Sequence, residues 1–97
     1  MSQKMYVFAV YDQQVEEYLQ PNFFKTPAEA MRSFSDVVTQ PDHQFNKHAT
    51  DYTMFQLASY DPATGKFDVL DSPRVLANAW ELLAREKEES PEIIEAA

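Results

Sequence analysis

The only glycine of this 97-residue chain, Gly65, closes the segment Asp61-Pro62-Ala63-Thr64-Gly65, and that segment fixes a chain reversal. Proline presets its own φ, aspartate can hold nearby backbone N–H groups, and glycine takes a positive φ without steric cost. The residues before the turn alternate from Thr53 onward: Met54, Gln56, Ala58 and Tyr60 face one way, and Phe55, Leu57 and Ser59 face the other. Phe67, Val69 and Leu70 return on the far side. The pattern predicts a β-hairpin. An isolated hairpin is marginal in water, so the rest of the chain must supply further strands and a covering layer.

Met5 to Tyr11 is apolar at every position and reads as a strand buried on both faces. Glu17 to Phe24, interrupted by Pro21-Asn22, reads as an irregular edge strand. Thr26, Pro27 and Glu29 form a capping box with proline at the first helical position, where its missing N–H costs nothing. Ala30, Met31, Phe34, Val37 and Val38 follow at helical spacing, and Gln40-Pro41 ends the run. Ser72-Pro73 carries the same kind of start signal. It predicts a second helix with Val75, Leu76, Ala79, Trp80 and Leu83 as its core stripe. The expectation is an α+β fold: a small three- or four-stranded, mainly antiparallel sheet with two helices packed on one face. Residues 1–85 are expected to form a single domain, with 86–97 an acidic, frayed C-terminal tail.

A domain of this size buries only about 60–65% of the surface its unfolded chain exposes. The chain has no cysteine, so neither a disulfide nor a thiolate-bound metal can add stability, and a reducing compartment is implied. Association into a homodimer is the remaining route, and an aromatic share of 13% suits one. The longest apolar runs fall far short of the ~20 residues that span a bilayer. Eight basic side chains stand against sixteen acidic ones, a formal charge of −8. Such a chain is repelled by nucleic acid in bulk, which excludes a non-specific coat.

Catalytic signatures are absent from the sequence. A single glycine excludes a nucleophile elbow, a P-loop and a G-x-G-x-x-G cradle alike. His43 and His48, with Asp42 and Asp51 nearby, could hold a divalent ion, but nothing fixes a third ligand. No enzyme activity, cofactor or metal is expected. Lys25 precedes the first helix, whose N-terminal N–H groups favour a phosphate. With Arg32, His43, Lys47 and His48 it forms the candidate nucleic-acid or partner surface. Phe23, Phe45 and Tyr52 are the candidates for stacking on unpaired bases, although a core this small also needs its aromatics.

The stretches YVFAVYD (6–12), EEYLQPNFF (16–24), AEAMRSFSDVVTQPDHQFNKH (28–48), DYTMFQLASYDPATGKF (51–67) and SPRVL (72–76) together carry a family resemblance. Its most specific part is Phe45, Lys47 and His48 followed by Asp51, Tyr52, Phe55 and Leu57. The chain resembles the small nonstructural protein of gokushovirus-type microviruses, icosahedral single-stranded DNA phages and their prophage relatives. The resemblance implies a DNA-associated protein of the host bacterial cytoplasm, absent from the mature virion. Its implied role lies in viral single-strand synthesis or the coupling of that synthesis to packaging, with single-stranded DNA or a replication-initiator complex as partner. The alternative is a dimeric adaptor or inhibitor acting on a viral or host replication protein without touching DNA.

Overall fold

The computed structural model describes residues 3–89. The fold is α+β: a curled, antiparallel five-stranded sheet with three helices. Strand β1 (Met5–Asp12) is central, pairing with β4 (Tyr52–Asp61) on one side and with two short strands on the other. Those are β2 (Glu17–Tyr18) and β3 (Asn22–Phe24). Pro21, which has no N–H to give a ladder, falls between them. The expected irregular edge strand is therefore two fragments on one edge. Beyond β4 lies β5 (Lys66–Asn78), the opposite edge.

Helix α1 (Pro27–Val38) begins where its capping box predicts. The Glu29 N–H donates to the Thr26 hydroxyl (3.1 Å), and the Glu29 carboxylate accepts from the Lys25 N–H (3.0 Å). The stripe Ala30, Phe34 and Val38 is buried. A four-residue helix, α2 (Gln44–Lys47), follows soon after Gln40-Pro41. A single 3-10 turn (Ala49–Asp51) leads from it into β4. The Asn46 side chain donates to the Val38 carbonyl (2.8 Å), which ties α2 to the end of α1.

The hairpin forms as expected, with Gly65 at φ +75° and the Asp61 carbonyl accepting from its N–H at 2.7 Å. The segment after it departs from expectation. Residues 71–78 are strand, and α3 starts only at Ala79, running to Glu89. Ser72-Pro73 is not a helix start. Gln56 pairs with Arg74 while Ala58 pairs with Val69, so Leu70 to Pro73 bulge out opposite Leu57. Proline is tolerated at such a bulge on an edge strand, so the signal that suggests a helix N-terminus marks a break in a ladder. The run 86–89, expected to fray, continues α3; residues 90–97 of the expected tail lie outside the described residues.

A second bulge corrects the alternation expected in β4. Val7 pairs with Ala58 but Phe8 pairs with Gln56, leaving Leu57 as the extra residue. Ala58 and Tyr60 therefore lie on the face of Phe55, while Ser59 joins Gln56 and Met54. The helices pack on the Met54 face. Their core joins Phe8, Val10, Tyr52, Met54 and Ala77 of the sheet to Ala30, Phe34, Val38, Ala79 and Leu82. Among the described residues no helix is long and apolar enough to cross a membrane.

Candidate binding surfaces

The residues singled out in sequence do not form one site. Lys25 stands at the N-terminal end of α1, whereas Lys47 ends α2, which is fastened to the C-terminal end of α1. A twelve-residue helix is about 18 Å long, so no single phosphate joins the two lysines. Lys47 and His48 are exposed side by side. His43 is half-buried and structural. Its Nδ1 accepts from the Phe45 N–H (3.0 Å), capping α2, and its ring lies 4.6 Å from that of Phe45.

Two of the three stacking candidates belong to the core. Tyr52 is 6% exposed, and Phe45 is wedged between Phe34 (5.8 Å) and Tyr52 (4.5 Å). Tyr52 presents no ring to a base, while Phe45 is half-buried and lines a hollow of about 230 Å³ with Leu19, Phe24 and Val37. Burial, followed by the carboxylates of Asp12 and Asp51 and a hydrogen bond to Asp12, raises the pKa of the Tyr52 phenol above its ordinary value. Phe23 alone of the three is exposed, and it lies on the sheet face away from the helices.

Arg32 finds a partner that the sequence does not announce. It lines a groove of about 320 Å³ between α1 and α3, together with Arg85, Ser35 and Asp36. Met31, Ala28 and Leu82 supply its apolar surface. Lys25 lies outside α1, one residue before the Thr26 cap, and does not line the groove. Two other cations, Lys4 and Lys66, also share a hollow, but Asp61 and Asp68 line it with them. Among the described residues the α1–α3 groove is lined by two arginines and one carboxylate.

The opposite face of the sheet is a second surface, and sequence reading misses it. Cross-strand pairing places Val7, Ala9, Tyr11, Tyr18, Phe23, Phe55, Ala58, Tyr60, Phe67, Val69 and Val75 there. Tyr11, Tyr18 and Phe55 form one edge-on aromatic group, with centroids 4.9–6.3 Å apart. Phe23, Tyr60 and Phe67 form another at 4.8–6.1 Å. No described helix crosses this face, and none of its members belongs to the helix-side core. The missed signals are the register shifts, at Leu57 in β4 and at residues 70–73 and Leu76 in β5. Leu57 hides the side taken by Tyr60, and the helix-like reading of 72–83 hides Val75.

Among the described residues no group of three or more histidine, aspartate or glutamate side chains is placed to hold a metal ion. The family model described as Phage ORF5 protein matches residues 5–82, from the first residue of β1 into α3. No curated protein and no solved structure matches the chain.

Proposed function

The chain belongs to the phage ORF5 protein family, and from that premise we propose that it is a nonenzymatic accessory protein of a microvirus. It acts in viral single-strand synthesis, or in coupling that synthesis to packaging, by binding single-stranded DNA within the replication complex. The observation that carries this reading is the α1–α3 groove. Its paired Arg32 and Arg85 offer planar donor forks to phosphate oxygens, and Met31 and Leu82 offer apolar surface to a base or sugar. Asp36 in the groove and the overall charge of −8 restrict such binding to a local contact and rule out coating.

Titration of short single-stranded oligonucleotides at low salt tests the proposal. Dissociation constants below ~100 μM are expected, weakening as salt rises. Arg32→Glu and Arg85→Glu are each expected to weaken binding several-fold. Absence of binding at that concentration, or indifference to both variants, overturns it. The net acidity favours a second reading, an adaptor that meets a replication protein without touching DNA. Co-purification with the viral initiator that survives both arginine reversals and nuclease treatment would select that second reading.

A further inference from the structure

We propose that the helix-free face of the sheet is the interface with a second copy of this chain, the two sheets stacking face to face. This site lies on the opposite side of the sheet from the α1–α3 groove and does not depend on the DNA-binding reading.

Seven large apolar side chains are exposed among the described residues: Val15, Tyr18, Phe23, Phe67, Val69, Val75 and Trp80. Five of them, all but Val15 and Trp80, occupy this one face. Val69 and Val75 are 69% and 62% exposed, and Phe67 is 56% exposed. At roughly 200 Å² per aromatic side chain, Tyr18, Phe23 and Phe67 alone leave on the order of 300 Å² open. That already equals the largest apolar patch of many monomers. Val69, Val75 and the half-buried Tyr11, Phe55 and Tyr60 extend it towards the ~800 Å² per partner of a stable interface.

Charge selects the occupant. The paired positions of the face carry no aspartate, glutamate, lysine or arginine. A nucleic acid would find no cation to neutralise its phosphates there, which strand-binding surfaces require. Two copies of an acidic chain, however, meet at this face without opposing like charges across it. The surface is self-complementary, apolar against apolar, as a two-fold interface needs. Aligned sheets pack about 10 Å apart with interleaved side chains, which suits the two aromatic groups.

Edge-to-edge pairing, the other way for two sheets to join, is opposed by the structure: one edge offers only the short β2 and β3, interrupted by Pro21. The free edge of β5 is broken by the bulge over Leu70 to Pro73 and carries Asp68 and Asp71. Proline, bulges and charges on an edge strand are the devices that prevent strand addition. Stacking of faces remains. It also supplies burial that a cysteine-free domain of this size lacks on its own.

Sedimentation of the full chain over a concentration series, with thermal melts alongside, tests the proposal. The expected species has twice the mass of one chain at micromolar concentrations, with a melting temperature that rises with concentration. Phe67→Glu and Val75→Glu, at exposed positions, are expected to give folded monomers by circular dichroism. Trp80→Glu, on α3, is expected to leave the dimer intact. A wild-type chain that stays monomeric at ~100 μM, well above the affinity of standard-size interfaces, overturns the proposal. So does a dimer that survives both face variants. The Arg32→Glu and Arg85→Glu chains are expected to remain dimeric, so failure here and failure of DNA binding are told apart.

Discussion

Phe23 lies edge-on to Tyr60, their ring centroids 5.5 Å apart, although the two come from β3 and β4 with β1 between them. Val7 of β1 pairs directly with Phe23, one step along the same face from Met5, the partner of Tyr60, and is buried on a face that no described helix covers. The aromatic pair clamps both neighbours of β1 over its N-terminal half. Phe23→Ala is expected to destabilise the protein by about 1–2 kcal/mol through lost aromatic contact and burial. Phe23→Leu should cost less. Urea midpoints compared at one protein concentration give the measurement.

The cap of α1 gives a second expectation. Thr26→Ala removes the acceptor for the Glu29 N–H and should cost about 1 kcal/mol, while Thr26→Ser should cost little. Equal stability of the threonine and alanine proteins would show that α1 is held by packing of Phe34 and Val38 alone.

Tyr52 sets an alkaline limit. Its phenol ionises less readily in the folded protein than in the unfolded chain, because burial, and then Asp12 and Asp51, disfavour the phenolate. The resulting stability is complete below the unfolded value of ~10 and is lost as pH rises from there through the folded value. Tyr52→Phe is expected to flatten the fall of stability above pH ~10, read from denaturant midpoints at a series of pH values. An unchanged slope would remove Tyr52 as its cause.

Gly65 has φ +75°, and a Cβ placed there would meet nothing within 4 Å. Gly65→Ala therefore tests backbone conformation without a clash, and is expected to cost about 1 kcal/mol. Glu16, at φ 60° in the turn after β1, is the converse case. Glu16→Gly is expected to be neutral or stabilising by a few tenths of a kcal/mol, since glycine relieves that conformation but loses more entropy.

The hairpin and α1 are legible in sequence because their signals are local: a turn that needs glycine, and a cap that needs Thr26 and Glu29. The segment 71–78 is not, because Ser-Pro before apolar residues fits either a helix start or an edge bulge. Only pairing with β4, distant in sequence, decides between them. Helix α2 is one turn long, too short to show a period, and its cap is His43, an uncommon residue for that role. Of the candidate contact residues, Lys25, Arg32, Lys47 and His48 are exposed as required, whereas Phe45 and Tyr52 are drawn into the core. Arg85 enters the groove only through the packing of α3 on α1, which no local pattern encodes.

The extra residue at Leu57 gives β4 slack in its length. Removing it, with no other substitution, would bring Gln56 next to Ala58, as Phe8 is next to Val7, and the ladder would close without a bulge. Ala58, Tyr60 and the group around Phe23 would keep their face. Two chains that differ by one deleted codon here would thus present the same apolar face and self-associate alike. In comparing relatives of this protein, a gap at this position is less consequential than one in a regularly paired stretch such as residues 8–12, where it would turn the face.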